Sequence, residues 1–264
     1  AIFSVALFLA IIIEIMASRT RVVESEVRAR TEELTFANQK LVEVNELKNK
    51  FLGIASHDLR NPLASIRGYS KFLLDKGASV KENTRQEFLT TIKNVSGNML
   101  ELISNLLDIS VIESGQLQLN PEKSCIKKLA EEKIHLQQIL ADKKNIVLHA
   151  DLQAVPEFYF DANRIGQVMD NLLSNAVKYS PPDKEVFIKL VSNEETMTLS
   201  VKDEGPGISP DEQGQLFQHF KKLSARPTGG ESSSGLGLAI AQRIVEEHQG
   251  DIGVDSQLGH GATF

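Results

Sequence analysis

Between Phe88 and Ile109 the apolar residues Phe88, Ile92, Val95, Met99, Leu102, Leu106 and Ile109 follow one another at intervals of 4-3-4-3-4-3. Such strict heptad spacing demands a long helix whose seam lies against another helix. The spacing predicts a helix over 84–113, and a partner helix is expected over 47–74, joined to it by the loop DKGASVKENT (75–84). Leu89, Ile103 and Leu107 widen the stripe beyond what one hairpin can bury. Two hairpins in a four-helix bundle solve that problem, so a homodimer is expected. Gly115 should end the second helix, and GQLQLNP (115–121) reads as a hinge.

Upstream, residues 18–50 lack Gly and Pro and carry a second seam: Val23, Val27, Leu34, Ala37, Leu41 and Val44, broken by Arg30 and Lys48. A coiled-coil rod fits this pattern, and a single solvated helix is the alternative. After Val44 the apolar positions come at Leu47, Phe51 and Ile54, a one-residue shift that would locally overwind a coil. Residues 1–13, AIFSVALFLAIII, are uncharged but shorter than the ~20 residues of a spanning helix. Since the sequence opens on Ala rather than Met, they read as the last part of a transmembrane helix, with Arg19 and Arg21 on its cytoplasmic side. A buried helix or the apolar part of a signal peptide are the alternatives.

A length of 264 residues suggests about two domains. The single cysteine, Cys125, permits no internal disulfide. A net charge of −6 argues against a nucleic-acid partner but leaves room for a nucleotide site. From Pro121 the texture becomes α/β. Helices are expected over 124–142, 162–179 (with Asp161 as N-cap) and 236–248. Strands are expected at 146–152, 158–160, 185–191 and 196–201, the last two forming a hairpin around SNEET, and again at DIGV (251–254) and the terminal GATF.

Four constellations carry chemistry. In the first hairpin helix, at 100° per residue, Phe51, Ile54, Ala55, Leu59, Leu63, Ile66, Tyr69 and Leu73 cluster opposite His57, which therefore points outward. Asp58 is its neighbour, Asn61 follows one turn later on the same face, and Pro62 should bend the helix. Over 162–179, Gln167, Asn171, Asn175 and Lys178 form a polar stripe opposite Ile165, Val168, Leu172 and Ala176. Asparagine is a poor helix former, and an amide oxygen can ligate Mg²⁺ without repelling a triphosphate. Next, DEGPGI (203–208) places Asp203 as an acceptor suited to an exocyclic amine, with Gly205 and Gly207 allowing close backbone approach. Finally, GGESSSGLGLAI (229–240) combines a polar, mobile-looking lid over 221–234 with Gly235 and Gly237 opening a helix whose N-terminus favours phosphate. Phe217 and Phe220 precede this lid and suit either core packing or lid anchoring.

These strings together resemble the sensor histidine kinases. FLGIASHDLRNPLASI (51–66) resembles their H-box, NLLSNAVKYS (171–180) their N-box, and DEGPGI, GGESSSGLGLAI and GHGATF (259–264) their glycine boxes, as found in the GHKL ATPase superfamily. The resemblance implies a multidomain α and α+β protein. A coiled-coil helix would lead into a helical hairpin that forms a dimeric four-helix bundle, followed by a GHKL (Bergerat-type) α/β sandwich that binds ATP. The implied domains are a transmembrane helix (1–17), a signalling linker (18–48), a dimerisation and phosphotransfer hairpin (49–116) and a catalytic domain (121–264).

By the same resemblance His57 attacks the γ-phosphate of ATP, Asp58 is general base, and Asn61 orients a water that dephosphorylates a partner. Asn175, assisted by Asn171, holds Mg²⁺; Lys178 meets the phosphates and Tyr179 packs near the nucleotide. Asp203, Gly205, Gly207, Ile208, Phe220, Gly229, Gly230, Gly235, Leu236, Gly237, Leu238 and Thr263 complete the nucleotide site. The implied partner is the receiver domain of a separate response regulator. The implied location is the cytoplasmic (inner) membrane, with the catalytic region in the cytoplasm. A GHKL ATPase that drives conformational change without phosphotransfer is the alternative, and a catalytically dead scaffold a third reading.

Overall fold

In a computed structural model the chain divides into two units, Ala1–Asn61 and Pro62–Phe264. The structure describes residues 14, 16, 19, 24, 26–28, 30–36, 38–40, 42, 53 and 59–61 of the first unit, and 62–115, 117–193, 196–218, 221, 223–229 and 235–264 of the second. The expected transmembrane stretch 1–13, the seam shift and the pair His57 and Asp58 lie outside the described residues.

In the first unit the described residues are helical. The seam residues Val27 and Leu34 are 58% and 68% exposed in the single chain. Arg28–Glu32 and Arg30–Glu33 pair across one helical turn, both in water, where such pairs contribute little.

The second unit opens with helix α1 (62–76), a 3₁₀ turn at Gly77–Ser79, and the long helix α2 (Glu82–Glu113). The expected loop 75–84 is thus shorter than the sequence suggested. The first helix continues two residues past Leu74, and Lys81, in extended conformation, starts the second at Glu82, an acidic residue suited to a helix N-terminus. The hairpin closes on its heptad stripe: the Phe88 ring lies 4.8 Å from that of Tyr69 and 5.3 Å from that of Phe72. Ile109 is fully buried, whereas Leu107, which widened the stripe, stays 64% exposed.

Downstream, β1 (Glu122–Ser124) pairs antiparallel with β3 (Phe158–Phe160) in a small two-stranded sheet. Sequence reading had placed the start of a helix at residue 124, so α3 begins later, at Ile126, and runs to Asp142. Three strand residues with no apolar alternation offered no signal for β1. The main sheet has five strands in the order β2-β4-β5-β7-β6, made of Val147–Leu152, Glu185–Ser192, Met197–Lys202, Ala262–Thr263 and Asp255–Ser256. Only β2 and β4 run parallel; α4 (Ala162–Tyr179) lies in the connection between them. Along β4, Val186, Ile188 and Leu190 are buried and alternate with exposed Glu185, Phe187, Lys189 and Val191, so one sheet face is covered by the helices and the other meets water. The covering layer is α3, α4 and α6 (Gly237–Glu247), which bury Ala130, Leu172, Leu173, Val177, Ile240 and Ile244 among others.

Residues 251–254, expected as a strand, form none. The β6–β7 register pairs Asp255 with Thr263 and Ser256 with Ala262, and the Phe264 N–H and carbonyl bond to Val201 on β5. A four-residue helix, α5 (Pro210–Gln213), was not legible in the pattern.

The hairpin and the α/β layer are joined by a polar cluster. One Asp108 oxygen accepts from Arg164 Nη1 at 2.7 Å and the other from Gln167 Nε2 at 2.7 Å, and Arg164 Nη1 also reaches Gln167 Oε1 at 3.1 Å. The side chains of Asp108 and Arg164 are 15% and 28% exposed. A double-mutant cycle of Asp108→Ala and Arg164→Met, read by urea unfolding, is expected to give a coupling of about 1–2 kcal/mol, since removing one partner alone leaves the other's half-buried charge with only the Gln167 amide. Additive single effects would show that water satisfies these groups.

Candidate functional site

Helix α4 supplies the first elements. Asp161 caps it as expected: Oδ1 accepts the Arg164 N–H at 3.0 Å, and Oδ2 accepts the Asn120 N–H at 2.9 Å, tying down the connecting segment. Burial alone would raise the Asp161 pKa, but the N–H groups of Asn120, Arg164 and Asn163, with His248 nearby, outweigh it and hold the carboxyl below its ordinary value. With this start, Val168, Leu172 and Ala176 face the core, and Gln167, Asn171, Asn175 and Lys178 share the half-buried opposite face.

Asn171 and Asn175 stand one turn apart with neutral amides. The Asn171 Oδ1 lies against the first residue of α6: a side-chain carbon on Gly237 would overlap it. This close approach brings the polar stripe of α4 to the N-terminus of α6, and a side chain at 237 would push the Asn171 amide aside. Gly235 (φ 69°) and the buried Leu236 lead into that helix, Leu238 packs against the cluster containing Ile208, and Gly229 is exposed upstream.

Asp203 follows β5. It is 6% exposed, and its Oδ1 accepts the Gly205 N–H at 2.8 Å and the Ala262 N–H at 3.2 Å. Burial pushes its carboxyl above the ordinary value, and the two N–H groups pull it part of the way back. A side-chain carbon on Gly205 would stand 2.8 Å from Asp203 Oδ1 and 3.1 Å from the Tyr179 carbonyl oxygen, so the end of α4 and the 203–208 loop meet. Gly207 has φ 68° and lies against the Gln257 carbonyl. Thr263 sits on β7, opposite Lys202 and beside the Ala262 that holds Asp203.

The structure therefore brings Asn171, Tyr179, Asp203, Gly205, Gly237 and the segment at Thr263 to one end of the sheet. Ile208, expected at the nucleotide, is 8% exposed and belongs to a core with Leu216 and Ala262, against which Phe217 and Leu238 also pack. Phe217 therefore packs in the core, which is compatible with its also anchoring the segment that follows. Phe220 and Gly230 lie outside the described residues; Asn61 is helical and exposed.

Sequence reading missed Thr228 and Lys144, which meet at the end of α4, and Glu212. The Glu212 Oε1 accepts the Ser224 N–H at 2.7 Å, and its Oε2 accepts the Ser224 hydroxyl at 2.9 Å and the Ser209 hydroxyl at 3.1 Å. The Ser224 hydrogen bonds, backbone first, lower the Glu212 pKa. No local pattern marks Thr228 and Lys144, because their partners are far away in sequence, whereas Ser209 and Glu212 stand in the S-x-x-E spacing of a helix start. Chemically, the neutral amides suit a hard cation arriving with an anion, the helix N-terminus suits phosphate, and the Asp203 carboxylate suits an amine donor.

Residues 160–264 match the family model described as Histidine kinase-, DNA gyrase B-, and HSP90-like ATPase, and residues 47–115 match the His Kinase A (phospho-acceptor) domain. The circadian input-output histidine kinase CikA of Synechococcus elongatus is 34% identical over 264 residues, covering 99% of this chain and 35% of CikA. The sensor protein SrrB of Staphylococcus aureus is 33% identical over 222 residues, covering 84% of this chain and 38% of SrrB. The chain thus spans about a third of the length of the curated relatives it matches. Among solved structures, the histidine kinase AdeS of Acinetobacter baumannii aligns with a TM-score of 0.60 at 27% identity, over 78% of this chain and 94% of that one.

Proposed function

Because this chain belongs to the histidine kinase family, we propose that it binds ATP in its C-terminal α/β domain, phosphorylates its own His57, and passes the phosphoryl group to an aspartate of a separate response regulator. The observation that carries the reading is the convergence of the N-box stripe, the Asp203 loop, the start of α6 and β7 on one site. We assign hairpin and catalytic domain to 49–116 and 121–264, the signalling linker to 18–48 and a membrane helix to 1–17.

Asp203 would accept the exocyclic amine of adenine, and the Gly235–Gly237 turn and the Lys178 ammonium would receive the phosphates. Among the described residues no group of three or more His, Cys, Asp or Glu could hold a metal. The Asn175 amide oxygen, assisted by Asn171, fits an Mg²⁺ that keeps its other positions for phosphate and water; the ion supplies charge neutralisation on the triphosphate. The neutral His57 imidazole attacks the γ-phosphorus, ADP leaves, and Asp58 takes the ring proton. The P–N bond then breaks as the regulator's carboxylate takes the phosphoryl group, and His57 is restored. Asn61 would orient water for the reverse, hydrolytic activity on the regulator.

The apolar residues that the hairpin leaves exposed support the homodimer: Leu89, Ile103 and Leu107 are 47%, 40% and 64% exposed. Among the described residues the helix long and apolar enough to cross a membrane is Glu82–Ile112, which is this same hairpin helix. We assign its apolar face to the four-helix bundle and the membrane contact to the uncharged residues 1–13, followed by Arg19 and Arg21.

Incubation with ATP labelled in the γ-phosphate is the test. The expected product is a protein-bound label that is acid-labile and alkali-stable, as a phosphoramidate is, and that chases onto a receiver domain. Steady hydrolysis with no protein label would overturn the reading in favour of an ATPase.

A further inference from the structure

The C-terminal end of α4 carries a device that none of the sequence motifs contains. The last carbonyls of a helix lack intrahelical donors. Here the Lys144 ammonium, entering from the turn after α3, donates to the Val177 and Lys178 carbonyls, both at 3.0 Å, and to the Thr228 hydroxyl at 2.9 Å. The Thr228 hydroxyl gives its proton to the Ser180 carbonyl at 2.7 Å, with the Lys178 carbonyl at 3.2 Å as the second acceptor. The Thr228 N–H also donates to the Lys178 carbonyl, at 3.0 Å. Three segments far apart in sequence are thus tied around the backbone of Lys178, next to the Tyr179 carbonyl that abuts the Asp203 loop.

The geometry points to Lys144 and Thr228 as positioning residues for nucleotide binding: they clasp the polar segment following Ser224 to the last turn of α4 and so preset the turn that presents Lys178. The inference rests on the nucleotide reading above. Neither residue needs to touch the ligand. With the clasp closed, the turn and the segment are ordered before ATP arrives, and that ordering cost is not charged to binding. Opening the clasp returns the cost to the binding step and leaves the chemistry of the bound state alone. The effect should therefore fall on KM and not on kcat. Thr228 stays partly in water, which limits the size of the effect.

The variants are Thr228→Val, Thr228→Ser and Lys144→Met, with folding checked by thermal melting. ATP affinity is measured by calorimetry with MgATP, KM and kcat by autophosphorylation, and hydrogen exchange on the peptide covering 225–229 without nucleotide. Thr228→Val and Lys144→Met are expected to raise Kd and KM about five- to tenfold, keep kcat within about twofold, and speed exchange at 225–229. Thr228→Ser keeps the hydroxyl and should restore all three. Unchanged KM in Thr228→Val, a fall confined to kcat, or failure of the serine to rescue would overturn the inference. A wild-type chain that binds no MgATP would overturn the nucleotide reading and this inference with it, whereas faster exchange without a KM change would leave the reading standing and reduce the clasp to a structural tie.

Discussion

An Asp203→Asn chain is expected to bind MgATP about 30- to 100-fold more weakly than the wild type while keeping its melting temperature within a few degrees. The isosteric amide keeps a carbonyl oxygen for the Gly205 and Ala262 N–H groups that Asp203 Oδ1 now accepts. The fold around the loop therefore survives, which Asp203→Ala, leaving two buried N–H groups without an acceptor, would not ensure. What changes is the other atom: on the reading proposed above, a carboxylate oxygen becomes an NH₂ donor that would face the amine of adenine. A charge-assisted hydrogen bond is lost and two donors are opposed, together about 2–3 kcal/mol. Guanine carries a carbonyl where adenine carries the amine, so the ratio of ATP to GTP affinity should fall in this variant. His57→Ala is the complement: it should abolish the phosphoryl label and leave MgATP affinity unchanged. Equal ATP binding by wild type and Asp203→Asn would remove Asp203 from adenine recognition.

The same carboxyl predicts a pH dependence. Its pKa in the folded chain lies above the ordinary value because it is buried. The ionised form is the acceptor, so on acidification ATP affinity is lost as the pH falls through that raised pKa, earlier than an ordinary carboxylate near ~3.9 would lose it. In Asp203→Asn this component should be absent from the affinity–pH profile.

Gly261→Ala should be among the most destabilising single substitutions in the domain, and a neighbour supplies its control. Gly261 and Gly259 both have positive φ, 79° and 84°. A side-chain carbon at Gly259 would meet nothing within 4 Å, so alanine there carries only the cost of the left-handed conformation, about 1–2 kcal/mol. At Gly261 the same carbon would overlap the Asp203 carbonyl oxygen. That oxygen belongs to the peptide whose neighbours make the link between β5 and β7, where the Asp203 N–H donates to the Ala262 carbonyl at 2.8 Å. The overlap is with backbone, which cannot rotate away, so the strands must separate and the grip on Asp203 opens with them. The expected loss is about 3–5 kcal/mol. In a domain of this size that is a fall of roughly 6–20 °C in melting temperature, against a few degrees for Gly259→Ala. Similar shifts for the two variants would show that backbone conformation alone, and not the close approach, decides at both positions.

Much of the fold was legible because its determinants are local. The heptad of α2, the alternation of β4 and the Asp161 cap each act within one or two turns, and periodicity reports them directly. The family motifs were legible for a related reason: glycine at 205 stands against Asp203 Oδ1 and the Tyr179 carbonyl, and glycine at 237 against the Asn171 amide, where a side-chain carbon would crowd them. Short elements held by distant partners were not. The strand β1 exists because β3, some 36 residues later, offers it a ladder.

From the order of its residues alone this protein is a heptad hairpin joined to an α/β layer, since hydrophobic period and chain texture suffice to specify both. Tertiary structure alone decided that Ile208 goes to the core, that Asp108 binds Arg164 and Gln167, and that Lys144 and Thr228 close over the end of α4. Each of those outcomes joins groups dozens of residues apart. Their energies depend on burial and on which donors remain unpaired once the helices have docked on the sheet, and neither quantity exists until the chain has folded.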